Sequence, residues 1–243
     1  MEQYYKIAGL IVAMDTYGRT QKQAEPYLIE KIGEPDIRIV SYKDVIKERM
    51  ELVSDDMAEY LGTGGGFYKE LLNFDGFRLH ASAVVYDGKA YLFSADSGTG
   101  KSTHTKLWLR LLGEKAYILN DDKPALRLID GVWYAFGTPW SGKHDISVNQ
   151  GVPVGGICMI ERGEENEIAP YSGKKAIYDL FVQTNRPKAT IYRIKLMELL
   201  DHLMQNVSIW KLKCNMDPEA AVISYNAMTG NKMEGNVNEE ILL

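Results

Sequence analysis

The sequence predicts a mixed α/β (α+β) fold whose sheet contains both parallel and antiparallel strands. Three observations predict it. A glycine-rich loop, Ser94-Ala95-Asp96-Ser97-Gly98-Thr99-Gly100-Lys101-Ser102-Thr103, stands between an apolar strand and an amphipathic helix. The strand that feeds this loop, Lys89–Ser94, is joined to the one before it by Asp87-Gly88, a hairpin signal. The same device recurs at Asp130-Gly131, between 125–129 and 132–136. Doubly wound nucleotide-binding sheets feed their loops through helical crossovers, so these hairpins exclude the Rossmann topology.

Taken in order, residues 1–75 read as a small N-terminal α/β unit and 76–243 as a core that carries the loop and the C-terminal helices. In the first unit the apolar run 4–14 is a strand, 21–32 a helix ended near Gly33, and 37–40 a second strand. Small residues at 62–66 read as a loop able to flex, and 67–74 as a short helix. The core opens with a strand at 79–86. After the glycine-rich loop, 103–112 is a helix with Leu107, Trp108, Leu111 and Leu112 on its apolar face and Gly113 at its end. Strands follow at 117–119, in the second hairpin, and at 157–161 beyond Gly155-Gly156. A helix capped by Ser172 buries Ile177, Leu180 and Phe181. Another runs over 196–204, and the last starts at Asp217-Pro218 and stops before Gly230. The tail from Asn231 is polar and reads as frayed.

Composition sets the class. With 45% hydrophobic and 25% charged positions, the chain is of ordinary globular make-up. A formal net charge of −5 offers no basic face for a nucleic acid or an acidic membrane. The two cysteines, Cys158 and Cys214, are too few for a disulfide framework and read as packed thiols of a reducing compartment. The run 7–14 is followed by Asp15 rather than a cleavage site, and nothing approaches the roughly 20 apolar residues of a membrane span. A cytoplasmic location is expected.

The loop carries the chemistry. Glycines let successive N–H groups curl round a phosphate, a lysine reaches the β/γ oxygens, and a hydroxyl ligates Mg²⁺. Asp96, Ser97, Gly98, Thr99, Gly100, Lys101, Ser102 and Thr103 are therefore the candidate nucleotide-binding residues. The full pattern has a glycine where this chain has Ala95, the mildest departure available. Asp121-Asp122 ends the strand after the helix. The pair is either a solvated turn before Pro124 or a metal anchor together with a carboxylate that accepts a proton. His80, at the start of the hairpin partner of the loop strand, is either a surface histidine or a neighbour of the phosphates. Lys143, in Gly137-Thr138-Pro139-Trp140-Ser141-Gly142-Lys143, and Arg186 are either solvated bases or contacts to phosphate, substrate or transition-state charge.

The order His80-Ala81-Ser82, hairpin, Asp96 to Ser102, then Asp121-Asp122 resembles the HPr kinase/phosphorylase family, a branch of the phosphoenolpyruvate-carboxykinase-like P-loop fold. The resemblance covers roughly residues 77–190. Residues 1–75 do not look like that family's separate N-terminal domain, and are more like that part of short kinase-like relatives, some of which accompany peptide-modification cassettes. It implies a mixed sheet with the loop at its centre, and ATP- and Mg²⁺-dependent transfer of a γ-phosphoryl group to a serine-type hydroxyl of a protein, peptide or small molecule. It also implies roles: Lys101 on β/γ-phosphate, Ser102 and Asp122 on the metal, Asp121 as general base, His80 orienting that base, and Arg186 near the transferred phosphate. Relatives assemble, so a homo-oligomer is a further implication. The family's glycine-rich arginine signature, linked to phosphorylase activity, has no counterpart here. Two other readings stand beside the kinase: a nucleotide-binding regulatory module without catalysis, and a carboxykinase-like lyase. The acceptor has no readable code, and substrate choice is expected in residues 1–75, the Trp140 loop and the surroundings of Arg186.

Overall fold

The computed structural model describes residues 2–40 and 43–233; the end of the polar tail, 234–243, lies outside the described residues. The chain starts with a hairpin, β1 (Gln3–Ile7) and β2 (Leu10–Met14), where the sequence reads as one strand. Ala8 and Gly9 both have positive φ, 51° and 80°, the backbone of a two-residue type I′ turn. The alanine at the first turn position hid it. Helix α1 (Gly18–Ala24) ends well before Ile32, because Pro26 cannot donate to a continuing helix and the chain turns into β3 (Leu28–Ile29). With β4 (Ile37–Ile39) these strands form a four-stranded sheet in the order β3-β1-β2-β4.

Helix α2 (Lys43–Arg49) leads to α3 (Asp55–Glu70), whose first turn is capped by Ser54 Oγ accepting from Met57 N at 3.2 Å. The segment 62–66, expected to be a loop, lies inside α3. Each glycine costs a helix interior about 1 kcal/mol relative to alanine. At Gly64 close approach explains the choice, since a Cβ there would stand 2.9 Å from the Trp140 ring. Trp140 in turn stacks on Phe67, ring centroids 5.0 Å apart.

The second sheet comprises β5 (Gly76–Arg78), β6 (Ala81–Tyr86), β7 (Lys89–Ser94), β8 (Ala116–Asn120), β9 (Ala125–Ile129), β10 (Val132–Phe136), β11 (Gly151–Arg162), β12 (Glu167–Pro170) and β13 (Ile209–Cys214). Helix α4 (Lys101–Leu112) joins β7 to β8, α5 (Gly173–Val182) and α6 (Thr190–Asn206) join β12 to β13, and α7 (Glu219–Thr229) follows β13. The strand order is β5-β9-β10-β11-β7-β6-β8, with β13 added to β11 and β12 to β13. Strands β7, β11 and β13 are mutually parallel and the hairpin strands antiparallel, so the sheet is mixed. Both Asp-Gly turns form as read, with positive φ at Asp87, Gly88, Asp130 and Gly131. Gly155-Gly156, read as preceding a strand, sit within β11 at a break in its register with β7. A Cβ on Gly155 would meet the Tyr91 ring at 2.8 Å.

Alternation along the central strands covers both faces. Ala90 and Leu92 of β7 join Ile157 and Met159 beneath α5 and α6. Tyr91 and Phe93 turn the other way, with Cys158, against Leu107 and Trp108 of α4 and Tyr225 of α7. A strand buried on both sides reads as an unbroken apolar run, as 90–93 does. A third cluster, under the first sheet, gathers Tyr5, Val12, Phe67 and Tyr68 with Ala125 and Trp140 of the second. Among the described residues no helix is long and apolar enough to cross a membrane.

Candidate active site

Strand β7 delivers the loop into a bend that α4 leaves. Gly98 and Gly100 take φ of 81° and 123°, a region that side-chain-bearing residues rarely enter. Thr99 N donates to Asp96 O at 3.2 Å and closes the turn. The loop thus hands over directly to the N-terminus of α4, where the first backbone N–H groups have no intrahelical acceptor. Ala95, in place of glycine, costs nothing visible. Its methyl is buried in the cluster with Phe93 and Leu107, and its carbonyl accepts from Lys101 Nζ at 2.8 Å. Burial lowers the Lys101 pKa, while Asp122, Asp96 and Asp121 oppose the shift.

The paired aspartates stand at the end of β8, where the strand stops. Asn120 stops it: its Oδ1 accepts from the N–H groups of Asp122 (3.0 Å) and Lys123 (2.7 Å), and its Nδ2 donates to Thr138 O. The backbone turn lets successive side chains share one cleft. Asp121 is buried and accepts from two hydroxyls, Ser82 Oγ at 2.7 Å and Ser102 Oγ at 3.2 Å. Asp122 has different company: Lys123 Nζ at 2.8 Å and His80 Nε2 at 3.5 Å.

The protonation of His80 follows from its neighbours. Gln183 Nε2 donates to the Asp96 carboxylate at 2.8 Å, which fixes the amide orientation and turns Gln183 Oε1 toward His80 Nδ1 at 3.0 Å. Nδ1 therefore carries the hydrogen. Burial, then the positive charge of Lys101, lowers the His80 pKa, so the ring is favoured neutral with Nε2 bare toward Asp122.

A cleft of about 590 Å³ is lined by His80, Ser97, Gly98, Gly100, Lys101, Ser102, Thr103, Asp121, Asp122 and the segment from Ser141 to His144, Lys143 included. Thr99 lies instead on a second cavity, of about 420 Å³, with Leu107, Ile160, Arg162 and Met216; Gly98, Gly100 and Thr103 border both. Arg186 lines neither. It is exposed, and its charge acts on Arg78.

No family model and no curated protein matches this sequence. Among solved structures the chain is similar to the HPr(Ser) kinase/phosphatase from Coxiella burnetii, at 13% identity over 62% of this chain and 95% of that chain, with a TM-score of 0.35. A likeness of that size carries no weight for function, and the site is read from its own geometry.

Sequence reasoning missed Ser82, Gln183 and Lys123. Ser82 stands in the His80-Ala81-Ser82 string, facing the same way as His80 by strand alternation, and that period was the available signal. Gln183 comes from the far end of α5 and has no local signal. Also missed was the support of the Ser141–His144 segment by the first sheet's helices. Gly142 N donates to Tyr60 Oη at 3.0 Å, and Gly142 O accepts from Arg19 and from Gln23 Nε2. A Cβ at Gly142 would stand 2.9 Å from that of Asp122, so this segment sets where Asp122 can go. Of the loop expected to bear on substrate choice, Ser141 to His144 line the cleft, while Trp140 itself is wholly buried and donates to Thr63 Oγ1.

Proposed function

We propose that the chain is an ATP- and Mg²⁺-dependent kinase that transfers the γ-phosphoryl group to a serine-type hydroxyl. The observation that supports it most is the division of labour at the loop: Ser102 touches Asp121, while the adjacent Asp122 lies beside His80 in the same cleft. A plain phosphate-binding loop needs no second carboxylate with a histidine behind it.

Backbone N–H groups of 98–102 and Lys101 would receive the β and γ phosphates. The apolar cavity across the loop, with Leu107 and Met216, suits the nucleoside. The oxygen donors Ser102 and Asp121 suit Mg²⁺, which takes one or two carboxylates and leaves its other positions to phosphate and water. No cluster of three or more His, Cys, Asp or Glu exists among the described residues to cage a metal by itself, in keeping with that mode. When bound, the ion supplies positive charge against the phosphate oxygens. Asp122 is then the acceptor of the hydroxyl proton as the hydroxyl oxygen bonds to phosphorus and ADP leaves. Its partner His80 presents a bare Nε2 to the same proton. This allocation is the reverse of the one the family resemblance implies, in which Asp121 is the base. In this reading Asp121 is the metal anchor because it stands 3.2 Å from Ser102, the loop hydroxyl that would share the ion with it.

The test is mass spectrometry of the chain incubated with ATP, Mg²⁺ and an extract of peptides and metabolites. A product heavier by one phosphate is expected, reduced about 100-fold or more in Asp122→Asn, the size of a lost general base, while ATP binding persists. Full transfer by Asp122→Asn returns the base role to Asp121. Bound ATP without any product replaces the kinase by a nucleotide-dependent regulatory module.

A further inference from the structure

Arg162 is the last residue of β11, and the register of that strand brings it to the glycine-rich loop. Met159 pairs with Ser94, where β7 ends, so β11 runs on to Arg162 beside the chain that has become the loop. Pairing with β13 continues to the end, Arg162 opposite Cys214, which keeps this stretch extended and firmly placed. Cys158 and Ile160 face α4 and α7, and Arg162 follows them by alternation onto the same side. There its guanidinium donates to two successive loop carbonyls, from Nη2 to Gly98 O at 2.5 Å and from Nε to Thr99 O at 3.3 Å. Among the described residues Arg162 forms no ion pair, so the fork is committed to the loop.

These bonds fix more than the carbonyls. A trans peptide is planar, so its N–H points opposite to its C=O. With Thr99 O turned toward Arg162, the Gly100 N–H is turned the other way. Arg162 lines the cavity that suits the nucleoside and not the cleft, whereas Gly100 borders both. In the preceding peptide both groups are already engaged, Gly98 O with Arg162 and Thr99 N with Asp96 O. Packing does not supply this orientation. Asp96, Ser97 and Gly98 are exposed, and the glycines on either side of Thr99 let the chain turn easily.

Resting on the reading of the loop as a nucleotide site, we propose that Arg162 is a positioning residue for the nucleotide phosphates. It holds the Thr99–Gly100 peptide with the Gly100 N–H turned into the cleft. Without it that peptide is free to turn over, which sets a carbonyl oxygen against the phosphates in place of a donor. The task calls for arginine, because a planar fork holds two carbonyls in one fixed arrangement and a lysine ammonium is a single mobile point of charge.

The experiment measures binding and needs no acceptor. Calorimetric titrations with ATP, and separately with tripolyphosphate, are made with Mg²⁺ on the wild-type chain, Arg162→Ala and Arg162→Lys. Thermal midpoints are taken on all three. Both ligands are expected to bind Arg162→Ala about tenfold or more weakly, the size of a lost charge-assisted hydrogen bond, at nearly the same midpoint. Arg162→Lys, which keeps the charge and loses the fork, should recover only part of that loss. Equal affinity in wild type and Arg162→Ala overturns the proposal and leaves the nucleotide site standing. Full recovery in Arg162→Lys also overturns it, since charge alone then suffices. So does a loss confined to ATP, or wild-type binding of ATP without tripolyphosphate, because the contact then lies with the nucleoside. A fall in midpoint that tracks the loss of affinity makes the residue structural and overturns it too. A wild-type chain that binds neither ligand removes the nucleotide reading itself, and this role with it. If the expected affinities are found and no phosphorylated product ever forms, the role of Arg162 holds while the kinase gives way to a regulatory module.

Discussion

Two neighbouring aspartates have unlike surroundings because Asn120 bends the backbone between a strand and a turn. Asp121 faces two hydroxyls and Asp122 a lysine and a histidine, and this difference decides which is better placed to take a proton. Charge burial elsewhere gives a measurable residue-scale effect. His104 on α4 is buried, and burial pushes its pKa down to about 4. Its Nε2 pairs with Ser224 Oγ at 3.0 Å, Trp108 Nε1 donates to that oxygen, and Nδ1 has no partner. The sign follows from linkage: above about 6.5 both folded and unfolded chains hold the ring neutral. As pH falls below that, the unfolded chain takes a proton that the folded chain refuses until about 4. Stability is therefore lost between about pH 6.5 and 4, on the order of 3 kcal/mol from this one group. Denaturant titrations at pH 7 and pH 5 check it. His104→Gln, which cannot protonate, should show the smaller fall.

At the scale of elements, α3 shows how packing overrides composition. Several glycines in a short span announce a loop, and the helix forms because its flank must approach Trp140. Substitutions at adjacent positions should therefore act in opposite directions. Gly64→Ala puts a methyl into the indole ring and should cost about 1–3 kcal/mol in spite of alanine's helix preference. Gly65→Ala meets nothing and should stabilise by up to about 1 kcal/mol. Equal effects in thermal or denaturant unfolding would mean that Trp140 does not hold α3 in this way. The hairpins behaved differently. At Asp87-Gly88 and Asp130-Gly131 the turn chemistry is local and complete in two residues, so register and strand direction were legible. Ala8-Gly9 has the same backbone but an alanine where asparagine or aspartate announces the turn, so the first hairpin passed as one strand.

Across the whole molecule, the first sheet and the second meet at Trp140. Its ring stacks on Phe67, lies edge-on to Tyr68 with centroids 5.5 Å apart, and belongs to a core that also holds Tyr5 and Ala125. Arg127 of β9 adds a reach across the junction, donating to Ala8 O at 2.8 Å and to Phe74 O at 3.1 Å. Trp140 is also the residue before Ser141, at the entry to the cleft-lining segment that fixes Asp122. Trp140→Ala should thus cost about 3–5 kcal/mol and also weaken transfer through displacement of that segment. Stability by denaturation and turnover by mass spectrometry, taken on the same variant, test both. Because the core is shared, the wild-type chain is expected to unfold in one transition by fluorescence and circular dichroism together.

The sequence by itself determined the glycine-rich loop, its place between strand and helix, the two Asp-Gly hairpins and hence a mixed sheet, and the aspartate pair at a strand end. These depend on backbone preferences and on a period of two or 3.6 residues, which act over a short stretch of chain. Only the tertiary structure decided that Asp121 lies with Ser82 and Ser102, that His80 stands between Gln183 and Asp122, and that Trp140 is buried. Each of these joins residues far apart in the chain, and such contacts arise only when packed sheets and helices fix which side chains can meet.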